Sequence, residues 1–338
     1  MMASLAAGFA RALMELAVSK GADAATLAAR SGIDPQMLQD QDNRVPFANF
    51  VALMRAGKEL SGDPALALHF GEAYAMDELS IVGLIGMASE TMADAFLQLN
   101  RFAKLIVEID GAGDRLLLLR DGDKLWIVDT RGNSNDFPEM TESSFARMVC
   151  TARRFGQSGI IKAIHVTHSA PAWRAEYDRI FQMPVVFDSD RNALLTDDSW
   201  LTLKPDPAPS SRYVFGILSE RAEALLKSLE ASQTTRGKAE GLLIPLLHRG
   251  DANMDEIASR LGLSRQTLFR KLKAEDTSFE KVLDELRHRL ALHYLGGKKV
   301  SVNETAYLVG FSDPAAFSRA FKRWTGESPR ERLKTRAP

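Results

Sequence analysis

The sequence predicts two differently built parts. An α+β domain, helices with a small mixed sheet, spans residues 1–203, and an all-α domain with two helix-turn-helix units spans residues 238–338. Three observations carry this. Helix-period and strand-like runs alternate before Lys204; three prolines crowd into Lys204–Ser211; and beyond Lys238 only short helical runs remain, with one pattern written twice.

The elements follow in order. Leu5, Phe9, Leu13, Leu16 and Ala17 recur at helical spacing, so the N-terminus reads as an amphipathic helix rather than a signal peptide, which would need a basic start and an unbroken apolar run. A helix is expected over Leu13–Ala29, stopped by Ser31–Pro35, another over Phe47–Leu60, closed by Ser61–Pro64, and a third over Asp94–Val107. Arg115–Arg120 and Lys124–Thr130 are β-rich and separated by Asp-Gly-Asp, a hairpin signal. Glu139–Phe155 reads as helix, Ile160–Thr167 as strand, Ala172–Phe181 as helix, and Val185–Phe187 and Ala193–Thr196 as short strands. Residues 204–237 hold the proline-rich linker and a connecting helix, Tyr213–Glu230, broken by Ala231–Gly237.

The repeated pattern carries the chemistry. In Met254–Glu275, Ile257, Ala258 and Leu261 form an apolar stripe, Gly262 permits a sharp turn, Leu263 plugs it, and Ser264 can cap the next helix. Leu268 and Leu272 then face inward, which turns Gln266, Phe269, Arg270 and Lys273 outward. Two short helices on a tight turn are a helix-turn-helix. Gln and Arg match the edges of A and G in the major groove, while Ser264, Arg265 and Lys271 suit phosphates. The pattern recurs in Ser301–Leu333: Ala306 replaces Ala258, Gly310 replaces Gly262, Phe311 plugs the turn, Asp313 caps, and Phe317 and Phe321 face inward. Its outward face holds Ala315, Ala316, Ser318, Arg319, Lys322 and Arg323. One helix between the units, Phe279–Leu295, would set them about one DNA turn (~34 Å) apart.

Composition sets the outer bounds. The chain has 338 residues, 45% hydrophobic and 26% charged, enough for two or three packed domains. Residues 251–338 hold 17 Lys+Arg against 12 Asp+Glu, and the other 250 hold 26 against 32, a basic tail on an acidic body. One cysteine, Cys150, builds neither a disulfide framework nor a zinc cluster, and no run of about 18 apolar residues occurs, so a cytoplasmic, non-membrane protein is expected. No G-x-S-x-G elbow and no P-loop occur, and Gly111–Leu116 lacks a dinucleotide fingerprint. His165 and His168 sit three apart on an expected strand and so point to opposite faces, the wrong arrangement for a metal pair. Neither a cofactor nor a metal is expected. Trp126, Trp173, Arg131, Arg153 and Arg154 are candidates for an effector pocket, with core packing and surface pairing as the default for each.

The stretch GFSDPAAFSRAFKRWTGESP closely resembles the signature of the AraC/XylS family of bacterial regulators, and the resemblance runs over about Lys238–Leu333. It implies a seven-helix domain with one recognition helix per unit, placed on tandem half-sites of promoter DNA, often beside RNA polymerase. It implies base-reading positions at Gln266, Phe269 and Arg270 in the first unit and at Ala315, Ser318 and Arg319 in the second. The front part (SGIDPQML, SGDPALALHFGE and the segment from Pro171 to Asp198) is similar to the arabinose-binding-type sensor domain. That similarity implies an effector-sensing, dimerising domain over 1–203 and leaves the effector unnamed. The expected function is therefore a non-enzymatic, effector-responsive regulator, more an activator than a repressor. An enzyme targeted to DNA by its tail and a purely architectural DNA binder stand as alternatives. The first wants a nucleophilic cysteine in a polar motif, which RMVCTARR around Cys150 is not; the second is usually small.

Overall fold

The computed structural model describes residues 3–108, 115–205, 212–249, 252–296 and 300–335. The chain divides into two compact units, Met1–Leu226 and Lys227–Pro338, each described by itself below.

In the first unit the order is β1 (Ser4–Ala6), α1 (Ala7–Ser19), α2 (Ala24–Ser31), β2 (Arg44–Pro46), α3 (Phe47–Ser61), α4 (Leu66–Ala73), α5 (Met76–Leu79), α6 (Ile81–Met87), α7 (Met92–Arg101), α8 (Ala103–Ile106) and β3 (Val107–Glu108). There follow β4 (Leu116–Asp121), β5 (Lys124–Asp129), α9 (Glu139–Arg154), β6 (Ala163–His165), α10 (Arg174–Phe181), β7 (Val185–Val186), β8 (Asn192–Thr196), α11 (Ser199–Thr202) and α12 (Arg212–Gln233), which crosses the division into the second unit.

Five strands form one sheet in the order β4-β5-β8-β6-β7, antiparallel except for the β6–β7 pair. The Asp-Gly-Asp signal is the β4–β5 hairpin, with Asp121 opposite Lys124 and Gly122 at φ +63°. Leu125, Ile127, Ile164 and Leu194 send their side chains from this sheet into a core shared with Phe145 and Val149 of α9 and Tyr177 and Phe181 of α10. A second sheet, β2-β1-β3, was not foreseen; its strands run two or three residues, too short for a period-two signal.

Other differences have local causes. The helix expected over Leu13–Ala29 is two helices, because Gly21 sits at φ +99° and the Asp23 side chain accepts the Thr26 backbone N–H at 2.8 Å to start α2. The helix expected over Asp94–Val107 ends α7 at Arg101, and Val107 leaves α8 to pair with Leu5 in the small sheet. Tertiary pairing overrides periodicity there. The expected strand Ile160–Thr167 shrinks to Ala163–His165. Most of the linker reading (residues 206–211) and part of Gly111–Leu116 (residues 111–114) lie outside the described residues.

The second unit continues with α13 (Thr235–Leu247), α14 (Met254–Arg260), α15 (Arg265–Ala274), α16 (Phe279–Gly296), α17 (Val302–Leu308), α18 (Pro314–Thr325) and α19 (Pro329–Thr335): seven helices among the described residues. It has two cores. Leu243, Leu247, Ile257, Leu268, Leu272, Val282 and Leu286 fill one; Ala291, Leu295, Ala306, Val309, Phe317 and Phe321 fill the other. The 18 residues of α16 span about 27 Å and contribute to both.

One buried group of the first unit has a measurable consequence. Glu142, 5% exposed, accepts the Tyr177 hydroxyl and has His168 Nε2 at 3.8 Å, and burial raises its pKa above the usual carboxylate range. The folded state therefore holds this proton more tightly than the unfolded chain does. The stability it contributes is complete below the unfolded value (~4.3) and is lost as pH rises through the folded one. Glu142→Gln, which keeps an acceptor for Tyr177, is expected to remove this loss: its unfolding free energy, measured with urea, should gain on the parent's as pH rises above ~4.

Candidate nucleic-acid interface

Both turns of the second unit are built alike. In the first, Gly262 at φ +66° ends α14, its N–H donates to Ser259 O, and the Leu263 N–H returns to Ala258 O at 2.9 Å. In the second, Gly310 at φ +82° ends α17, its N–H donates to Tyr307 O, and the Phe311 N–H returns to Ala306 O at 2.9 Å. The left-handed backbone reverses the chain within one residue, which a residue with a Cβ adopts only under strain. The two turns differ by one residue: Ser264 caps α15 directly after Leu263, whereas Ser312 intervenes before Asp313. The Ser264 hydroxyl accepts the Thr267 N–H, and the Asp313 carboxylate accepts those of Ala315 and Ala316 at 2.9 and 3.1 Å.

With Leu268 and Leu272 buried, α15 presents Arg265, Gln266, Phe269, Arg270, Lys271 and Lys273 to solvent, and Ser264 is exposed ahead of it. Phe269 is 52% exposed, a large apolar ring with no core to fill. Arg265 pairs with Asp255 of α14. Among the described residues, no ion pair holds Arg270 or Lys273.

The second face is different. Ala315, Arg319, Lys322 and Arg323 of α18 are exposed, while Ala316 and Ser318 are half-buried. The Ser318 hydroxyl donates to Pro314 O at 2.9 Å within its own helix. Arg323 donates to both carboxylate oxygens of Asp284 on α16, at 2.9 and 3.1 Å, and the same carboxylate accepts Trp324 Nε1–H at 2.8 Å. Arg319 stays largely free, 4.0 Å from Asp313 and with its side chain 74% exposed.

Residues that sequence reasoning missed hold these helices in place. Arg287 of α16 donates from Nε to Val309 O at 3.1 Å and from Nη2 to Gly310 O at 3.0 Å, with its guanidinium over the Phe311 ring at 4.8 Å. Burial lowers its pKa, and the carbonyls it serves are those left open where α17 ends. Glu275, just past α15, accepts the backbone N–H groups of Thr235 and Arg236 at 2.7 and 2.9 Å, fixing the start of α13. Burial pushes its pKa up, but these bonds outweigh it and the carboxyl sits low. Nothing local marks Arg287 or Glu275, since their partners lie 22 to 40 residues away.

Comparison with known proteins agrees with this geometry. Residues 21–205 match the model described as the arabinose-binding domain of AraC transcription regulator, N-terminal, and residues 257–335 match that of a helix-turn-helix domain. The chain belongs to the AraC family of transcription regulators. The ornithine utilization regulator of Pseudomonas aeruginosa is 26% identical over 95% of this chain and 94% of its own. The transcriptional activator RhaS of Escherichia coli is 38% identical over 37% of this chain and 46% of its own. The crystal structure of the regulator CdpR from Pseudomonas aeruginosa is 21% identical, covering 80% of this chain and 87% of that one, with a TM-score of 0.37. This AraC-family chain is a DNA-binding transcription regulator, and among the described residues no helix is long and apolar enough to cross a membrane.

The remaining candidates of the first unit make these contacts, with Trp126 Nε1, Trp173 Nε1 and Arg131 Nε left without a hydrogen-bond partner among the described residues. Arg131 donates to Phe137 O, Ser134 O and Thr141 Oγ1; Arg153 serves Ile180 O and Phe181 O at the end of α10; Arg154 serves Glu72 O. Trp126 packs edge-on to His165, and Lys58 lies over Trp173. Cys150 is buried, and burial pushes its thiol pKa up, away from nucleophilic use.

The two turn glycines make a paired test. A Cβ on Gly262 would meet nothing within 4 Å, whereas one on Gly310 would stand 2.7 Å from Leu247 O and 3.3 Å from Arg287 Nη2. Gly262→Ala is expected to cost about 1–2 kcal/mol of stability from backbone strain. Gly310→Ala is expected to cost more and to expose α17 and α18 to hydrogen exchange, read by urea denaturation and mass spectrometry.

Proposed function

We propose that this regulator responds to a small-molecule effector through residues 1–203 and activates transcription by gripping tandem half-sites with its two helix-turn-helix units. Residues 204–237 connect the sensor to the DNA-binding part, 238–338. The observation that carries the reading is the shared backbone construction of the two turns, each followed by an exposed basic helix and both anchored to α16. A helix-turn-helix places its second helix in the major groove, and two of them on one support suit successive grooves.

In the first unit Gln266, Phe269 and Arg270 read bases, with Arg270 on a guanine edge and Phe269 against a thymine methyl. Ser264, Arg265 and Lys271 contact phosphates, and Lys273 stands on the outward face beside the readers. In the second unit Arg319 is the main polar reader beside Ala315 and Ser318, with Lys322 and Arg323 toward the backbone. Ser318 already donates within its helix and Arg323 already pairs with Asp284, which favours the first unit as the main source of sequence discrimination. Lys and Arg contacts to phosphate supply affinity that falls with salt. A homodimer formed through residues 1–230 fits Tyr213 and Ile217 of α12, which are 78% and 49% exposed. RNA polymerase is the further partner of an activator, and the cytoplasm the compartment. An effector shifts the regulator only by its difference in affinity between two arrangements.

Selection of bound fragments from genomic DNA by the purified chain tests this. A tandem motif is expected, with Arg270→Ala and Arg319→Ala each relaxing one half of it at ~1–3 kcal/mol per lost base contact. Arg323→Ala is expected to weaken binding less than Arg319→Ala and to leave the motif unchanged. Absence of any motif for the chain and for residues 238–338 alone, across several salt concentrations, would reject the proposal.

A further inference from the structure

The first unit holds a partly open cavity of about 240 Å³, lined by residues of helices α1 and α3–α9 and by Leu116, Ile127 and Leu194 of the five-stranded sheet. Its lining is mostly apolar, and the charged residues on it are two arginines and one aspartate, Asp77. Arg147 of α9 lines it and is 7% exposed. The guanidinium lies over the rings of Phe70 and Phe9, 5.1 and 5.7 Å from their centroids, and Nε donates to Tyr74 O at 2.9 Å. Its Nη2 has no partner among the described residues. Arg115 lines the same cavity, with Nη2 3.4 Å from Ser144 Oγ and 3.7 Å from Asp129 Oδ2, and its Nε is unpartnered.

The charge balance of the wall is positive. Asp77 also lines the cavity, yet the charges that bear most on Arg147 are those of Arg115 and, after it, Glu78. Burial pushes the Arg147 pKa down to about 10, which leaves the group charged at neutral pH. A desolvated guanidinium recovers its lost hydration only from an acceptor, and an anion serves it best. Arg131 and Arg153, both half-buried, place their Nη donors on backbone carbonyls and, for Arg131, also on Thr141 Oγ1, although Arg131 Nε is left without a partner among the described residues. Arg147 places Nε on a carbonyl, lines the cavity, and leaves Nη2 without a partner among the described residues.

We infer that this cavity binds a small monocarboxylate with an apolar chain or ring, its carboxylate received by Arg147 with Arg115 adding positive charge nearby. The inference rests on the reading of residues 1–203 as an effector sensor and names the effector's class. At ~30 Å³ per water-sized group, the volume admits on the order of ten non-hydrogen atoms. A diamino acid suits the site less well, because its two ammonium groups would enter a lining that carries two guanidiniums and one carboxylate, Asp77. A neutral chain of the same length leaves Arg147 unanswered.

Calorimetric titration of the full chain with octanoate, 1-octanol, acetate and lysine tests the class. Octanoate is expected to bind at least tenfold more tightly than octanol or acetate, with no heat from lysine. Arg147→Gln should lower octanoate affinity at least tenfold and leave octanol unchanged. Equal binding of octanoate and octanol, or undiminished octanoate binding by Arg147→Gln, overturns the inference. Should Arg147→Gln not fold, Gly86→Leu decides: Gly86 lines the cavity, and a Cβ there meets only Ala95 Cβ at 3.9 Å. That variant should unfold at the parent's temperature and lose octanoate; undiminished binding rejects the cavity as the site. DNA binding with and without octanoate separates the two readings. Octanoate bound with DNA binding unchanged removes effector control and leaves this site standing. DNA binding that responds to another compound while octanoate fails to bind removes this site alone.

Discussion

The geometry of the second unit depends on one helix belonging to two cores. Phe279, Val282 and Leu286 at the start of α16 are buried with the first helix-turn-helix, and Ala291 and Leu295 near its end are buried with the second. Leu290 packs against both cores. Close-packed interiors resist small displacements of their members. Neither recognition helix can therefore tilt far without disturbing the support on which the other rests. Arg287 sits between the two sets and ties α16 to the carbonyls of Val309 and Gly310. The left-handed turn that presents α18 is thus held from the same helix that carries the first unit. Rigid spacing is the property that two-groove recognition requires.

The same economy of anchors makes the two units unequal. A recognition helix needs one face buried to hold it and another free to read. In α15 these tasks fall on different residues: Leu268 and Leu272 hold, and Gln266, Phe269 and Arg270 are free. In α18 part of the outward face is drawn into holding, because Arg323 and Trp324 share Asp284 and Ser318 bonds to its own backbone. A side chain whose donors are already satisfied gains less from a base edge than a solvated one, since it must first give up an existing bond. The inequality is thus a consequence of how α18 is attached, and not only of its short side chains at Ala315 and Ala316.

The second unit was legible in the sequence because its determinants are local. Gly262, Gly310, the caps Ser264 and Asp313, and the inward pairs Leu268/Leu272 and Phe317/Phe321 lie within a few residues of what they shape. In the first unit the hairpin at Asp121–Lys124 and the long helix at Glu139 were equally plain. What could not be read is what depends on distant partners. The strand at Ser4–Ala6 exists only because Arg44–Pro46 and Val107–Glu108 flank it. The break after Ser19 was written locally, in Gly21 and Asp23, and the stronger helical period of the flanks obscured it.

Charged residues in the first unit show the same limit from the side of function. Arg131, Arg147, Arg153 and Arg154 stand within one stretch of sequence, and nothing in composition or spacing ranks them. The fold ranks them by what their donors meet. Carbonyls and the Thr141 hydroxyl occupy the Nη groups of Arg131, carbonyls occupy those of Arg153, and a half-exposed carbonyl and carboxylate rim occupies Arg154. Arg147 is the one of the four that is fully buried, beneath two aromatic rings, with Nη2 unanswered by described protein atoms, as Arg131 Nε is. A buried guanidinium is costly unless its hydrogen bonds are met, so its presence is weak evidence for a stabilising role. The cavity proposal follows this ranking: it rests on the buried guanidinium of α9, and not on the arginines that are most exposed.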